Sequence, residues 1–100
     1  MFGGMSKALE DFIDETIRRS RERGYHPTAF MEMRNRWGTK GAIERLVIAG
    51  DIQSGFKRLK GLNMLEWTIE AAVLNFPEAF TNREVRAAAE WRLRQARDGS

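Results

Sequence analysis

One hundred residues suffice for a single domain with a single core. Apolar residues make up 42% and charged residues 31%, a balance that excludes the low-hydrophobicity signature of disorder. The chain has no cysteine, which removes disulfides, thiolate nucleophiles and cysteine-based zinc sites and suits a reducing cytoplasm.

The longest apolar runs, Leu46–Ala49 and Ala71–Leu74, are far too short to span a membrane. Net charge is +3, and 13 of the 17 basic residues are arginine, the side chain best shaped for phosphate and carboxylate. The charge is unevenly placed. Residues 1–17 carry −3, 18–60 carry +7, 61–81 carry −3 and 82–100 carry +2. A basic centre is the wrong sign for a DNA mimic.

In chain order, residues 1–5 read as a flexible leader, 6–97 as one helical domain and 98–100 as a tail. Leu9, Phe12, Ile13 and Ile17 share one helical face. Ser6 reads as the N-cap, acids precede basics along the segment, and Gly24 is a left-handed stop. Helix one is expected over about residues 7–23. His26-Pro27 opens a second helix carrying Phe30, Met33 and Trp37, which Gly38 ends. Thr39 caps a further short helix with Ile43, Leu46 and Val47, closed by Gly50. Ser54 caps a turn over Gly55–Lys60.

Asn63-x-x-Glu66 and Thr81-x-x-Glu84 both have capping-box spacing. The first precedes an apolar stripe of Leu65, Ile69, Ala72, Val73 and Phe76, which Pro77 closes. The second carries Phe80 and Val85 as a hydrophobic staple and leads a helix to about Arg97. No stretch alternates as a strand does, so the expected fold is all-α, a small orthogonal array of five to six short helices.

Catalysis finds little support. His26 is the one histidine, beside a proline and with only Glu22 and Glu32 near it in sequence. Scattered glutamates lack the ligand spacings of zinc or di-iron sites. No cofactor, metal or small-molecule substrate is expected.

Phe30–Trp37, Gly38-Thr39 and Lys40–Ile48 outline a helix-turn-helix. Aligned on Gly38, however, that motif's small residue is Arg34 and its inner apolar residue is Glu44. Of the basic residues, Arg19 and Arg23 share a helical face, and Arg34 joins Lys57, Arg58 and Lys60 if the short helices abut. Arginine mixed with tyrosine or tryptophan is the composition of interaction hot spots. Tyr25, Arg34, Arg36, Trp37, Lys57 and Arg58 are therefore the expected partner-binding residues. Trp67 and Trp91 fall off the apolar stripes of their helices, which predicts partial exposure.

Three ordered segments carry a resemblance: Gly24-Tyr25-His26-Pro27-Thr28-Ala29-Phe30, Gly55-Phe56-Lys57-Arg58-Leu59, and Leu65-Glu66-Trp67-Thr68-Ile69-Glu70-Ala71-Ala72-Val73-Leu74. Together, over about residues 24–95, they resemble a helical domain widespread in bacterial proteins and without assigned activity. Within that pattern Gly24, Pro27, Thr28, Gly55, Thr68 and Glu70 read as structural. Trp67 replaces an aliphatic residue and Leu62 a basic one, departures that suit a surface remodelled for a partner.

In length, charge and helical character the chain also resembles small phage type I-F anti-CRISPR proteins. That resemblance implies a non-enzymatic inhibitor in the bacterial host cytoplasm. Its partners would be protein subunits of the crRNA-guided (Cascade-like) surveillance complex, and binding would block target DNA. A helix-turn-helix-like nucleic-acid binder and an oligomeric interaction module are the alternatives.

Overall fold

The computed structural model describes residues 3–49 and 54–98, with side chains at 7–49 and 55–98. The described chain is all-α: α1 (Gly3–Glu22), α2 (Thr28–Ile48), α3 (Ser54–Gly61), a 3-10 turn (Leu65–Trp67), α4 (Ile69–Asn75) and α5 (Arg83–Asp98). No described helix is long and apolar enough to cross a membrane.

Helix α1 begins at Gly3, so residues 3–5 are helical where a leader was expected, and Ser6 lies inside the helix. Each residue added to an existing helix gains a hydrogen bond, so a helix nucleated downstream extends readily. Its other end is as predicted. Gly24 takes φ 85°, and the amides of Tyr25 and Gly24 reach back to the carbonyls of Ser20 and Arg21 at 2.9 and 3.0 Å. This pattern of back-bonds closes the helix around a left-handed residue.

The two helices expected on either side of Gly38 are both present, as the two limbs of α2, and the chain leaves helical geometry between them. Gly38 has φ 80° and ψ 168° inside α2, a combination open essentially to glycine alone. The hydroxyl of Thr39, expected to cap the second limb, instead accepts from Arg34 Nε at 2.8 Å and donates to Glu10 Oε1 at 2.6 Å. Gly50 and the Ser54 side chain, expected as a stop and a cap, lie outside the described residues.

Two further caps move. Asn63 adopts φ 63° and ends α3, with Met64 and Asn63 amides bonded to Leu59 and Lys60 carbonyls at 2.8 and 3.0 Å. A left-handed residue cannot also open a helix, so Thr68 does so. Its hydroxyl accepts from the Ala71 amide at 3.1 Å and donates to the Leu65 carbonyl at 2.8 Å. At α5 the cap is Asn82, not Thr81: its Oδ1 accepts from the amides of Glu84 and Val85 at 2.8 and 3.3 Å.

The core gathers Leu9, Ile13 and Ile17 from α1, Ile43 and Val47 from α2, Ala72 and Val73 from α4, and Phe80, Val85 and Ala89. Phe80 and Val85 are both fully buried. A smaller cluster of Phe56, Leu93 and Ala96, with Leu65 against it, ties α3 to α5. Helix α4 packs chiefly on α5, and α2 packs on both. Where they meet, Arg92 donates to Glu70 Oε2 at 3.0 Å and to the Leu46 carbonyl at 3.3 Å, and also to the Ala49 carbonyl. Both partners are almost sealed from solvent, at 4% and 0% exposure. Burial pushes the Glu70 carboxyl above the ordinary carboxylate range, against the opposing pull of Arg92.

Candidate functional site

The bend at Gly38 determines what its neighbours present. Trp37 ends the first limb of α2 and is 40% exposed. Two guanidiniums lie within cation–π distance of its ring, that of Arg36 at 5.3 Å and that of Arg45 at 4.4 Å from the centroid. Gly41 is what leaves room for the Trp37 side chain beside the second limb. A Cβ there would sit 3.1 Å from Trp37 Cβ and 3.5 Å from Arg45 Nη1. Arg45 also donates weakly to the Gly41 carbonyl, at 3.4 Å. Ahead of the bend a shallow depression runs along one face of α2, lined by Thr28, Ala29, Glu32, Met33, Arg36 and Trp37. The result is an exposed aromatic ring bracketed by permanent cations, beside a shallow depression of mixed polarity.

The six residues expected to bind a partner separate in space. Arg36 and Trp37 stand together at the bend. Arg34 does not join them. It faces α1, with Nη1 2.9 Å from Asp14 Oδ1 and Nη2 hydrogen-bonded to Glu10. Burial opposes the charge on Arg34, and the hydrogen bonds from Glu10 and Asp14 outweigh it, so its affinity for the proton rises. For Glu10, burial raises the pKa, but the hydrogen bonds from Thr39 and Arg34 leave it below the ordinary value. Arg34 is therefore a brace between α1 and α2.

Lys57 and Arg58 are exposed on α3. Tyr25 is half-buried, its hydroxyl pressed against Gly55, where an added Cβ would come within 2.8 Å. Burial raises its pKa, and the positive charge of Arg58 works against that rise. Tyr25 and the bend are linked through Ala29, which lines both the depression beside Trp37 and the cavity behind Tyr25.

Arg45 and Gly41 are the residues that the sequence reading left out of this site. Their signal was present: a glycine and an arginine four and eight residues after Trp37, one and two helical turns on. The other tryptophans differ. Trp91 is 52% exposed. Trp67 is half-buried, stacked on Phe12 at 5.0 Å with the Arg19 guanidinium 4.4 Å above it, so its departure from an aliphatic residue braces the 3-10 turn against α1. Arg23 donates to the Leu62 carbonyl at 3.1 Å. Of the two basic groupings read from the sequence, Arg19 and Arg23 are engaged locally, and Arg34 is separate from Lys57, Arg58 and Lys60, which stay exposed on α3.

The chain matches no protein-family model, no curated protein and no solved structure.

Proposed function

We propose that this chain is a stoichiometric binding protein that docks through the outer face of the α2 bend, with Trp37, Arg36 and Arg45 at the centre. The observation that carries this reading is the exposed Trp37 ring held between two arginines. A large apolar ring left in water has its greatest gain still to make on binding, and tryptophan and arginine dominate interface energetics. Because Arg36 and Arg45 carry charge at any physiological pH, the surface suits an acidic partner.

For the target, the resemblance described above supports the type I-F crRNA-guided surveillance complex. Occupying the DNA-entry side of such a complex would prevent the duplex from docking and pairing with the guide. The same bend favours a second reading, direct binding to nucleic acid, because arginine beside an exposed aromatic also suits stacking on a single strand.

One gel-shift experiment separates the two. Purified surveillance complex is mixed with target duplex, with and without the chain, beside lanes of the chain with naked duplex and naked single strand. Inhibition predicts loss of the complex–DNA shift at near-equimolar chain, no shift of naked nucleic acid, and recovery of the complex–DNA shift with Trp37→Ala. A shift of naked nucleic acid that fades steeply with salt transfers the assignment to the second reading. An unaffected complex discards the inhibitor.

A further inference from the structure

The three sequence segments that carry the resemblance are far apart in the chain, yet they meet around one cavity, which α1 closes with Ile13 and Ile17. The internal volume is about 100 Å³. Ile13 is fully buried, whereas Ala29 is exposed and Tyr25 and Gly55 are half-exposed. The mouth therefore lies between the start of α2 and the first turn of α3.

The interior offers little but hydrocarbon. Its polar side chains, Thr16, Ser20, Thr68 and Glu70, are at most 7% exposed. Ser20 and Thr68 commit their hydroxyls to the carbonyls of Thr16 and Leu65, at 2.7 and 2.8 Å. Glu70 Oε2 accepts from Arg92. Thr16 Oγ1 and Glu70 Oε1 have no partner and are themselves sealed, so a molecule in the cavity does not reach them.

The mouth is different. The Tyr25 hydroxyl makes no hydrogen bond among the described residues, and it is not one of the sealed oxygens, so it is open to solvent. It stands over Gly55, where an added Cβ would come within 2.8 Å of it. Arg58 follows three residues along α3, on the same face as Gly55. It is exposed and has no ion pair among the described residues, and its positive charge acts on the Tyr25 hydroxyl. A free O–H donor beside a free cation, at the rim of an apolar hole, suits a carboxylate head on a hydrocarbon body.

We propose that the cavity binds a short-chain monocarboxylate, with a hydrocarbon body of about four carbons inside and the carboxylate at the mouth, between Tyr25 and Arg58. The size follows from volume: a cavity of about 150 Å³ accepts the six carbons of benzene. One hydroxyl and one guanidinium match a single negative charge. A second polar group on the body would enter a wall with no partner for it, so hydroxylated acids are rejected. The sequence reading expected no small-molecule substrate; this molecule is held as a ligand, and nothing at the mouth points to a reaction. The site does not use Trp37, Arg36 or Arg45.

The test titrates the full chain with pentanoate and follows the methyl resonances of Ile13, Ile17 and Ile69 by NMR. Wild type should show saturable shifts, with 1-pentanol and 5-hydroxypentanoate binding more weakly. Tyr25→Phe should keep its melting temperature, because no internal hydrogen bond is lost, and should weaken pentanoate about tenfold, the worth of a hydrogen bond to a charged group. Arg58→Gln should weaken pentanoate about threefold and leave 1-pentanol unchanged, as expected of an exposed charge. Shifts that rise linearly and never saturate overturn the site. So does pentanoate affinity that is the same in wild type, Tyr25→Phe and Arg58→Gln. No surveillance complex or nucleic acid enters this titration, so its outcome is separate from that of the gel-shift.

Discussion

Arginine does opposite work in two regions of this molecule. At the seam of α2, α4 and α5, Arg92 is enclosed, and its donors turn inward to Glu70 and to the carbonyls of Leu46 and Ala49. At the bend of α2, Arg36 and Arg45 are exposed and lie against the ring of Trp37. In the first region the guanidinium ties the end of α2 to the Glu70 carboxyl of α4. In the second it keeps an aromatic ring in place while leaving it accessible. Identical chemistry serves stability where water is excluded and recognition where water can still be displaced.

The largest effect should come from breaking the seam. Arg92→Met leaves a buried carboxylate without its counter-charge, and should cost about 3–5 kcal/mol in urea unfolding. Arg36→Met at the bend should stay within about 0.5 kcal/mol. Combining Arg92→Met with Glu70→Leu should recover only part of the loss, since the bonds from Arg92 to the Leu46 and Ala49 carbonyls stay broken. Full recovery would show that those two bonds contribute nothing.

The bend itself comes next. Gly38→Ala meets no atom within 4 Å, so its cost is purely that of the backbone at φ 80°, about 1–3 kcal/mol. An unchanged melting temperature would mean that the bend relaxes into a straight helix, which circular dichroism would register as added helicity.

Trp37→Ala sharpens the contrast in the other direction. Its stability cost should be about 1 kcal/mol or less, while partner affinity falls by about thirtyfold, the signature of a hot spot. Gly41→Ala should mimic the binding loss by displacing the Trp37 side chain, since the added Cβ would lie 3.1 Å from Trp37 Cβ.

The smallest effect is in the pH dependence. Glu10 has a lowered pKa in the folded chain, so its contribution is present above the unfolded value and is lost as pH falls through the folded one. Glu70 has a raised pKa; its contribution is full below the unfolded value and is lost as pH rises through the folded one. Glu10→Gln should therefore flatten the loss of stability between about pH 5 and about pH 3, by a few tenths of a kcal/mol given its exposure. Urea midpoints across that range read it directly.

Several elements were legible because their causes are local. The apolar face of α1, the left-handed Gly24 and the burial of Phe80 with Val85 depend on residues within a turn or two of each other. Capping was less legible. Asn63 and Thr81 had the right spacing, but Asn63 was committed to ending α3, and Asn82 reached the free amides that Thr81 was expected to cap. Spacing identifies candidates, and the direction of the incoming chain chooses between them.

The sequence by itself determined the helical class, the faces that turn inward and the basic centre, since periodicity and charge are properties of the chain alone. Only the tertiary structure decided which basic residues are free. Arg34 had the composition of a hot spot but meets Glu10 and Asp14 across α1, and Arg45 came to Trp37 because Gly38 bends the chain and Gly41 leaves room. Tertiary packing likewise brought Thr16 and Glu70, 54 residues apart in the numbering, to one cavity. Ion pairs and cavities depend on distances between elements, and those distances are set by how helices pack, which no local pattern encodes.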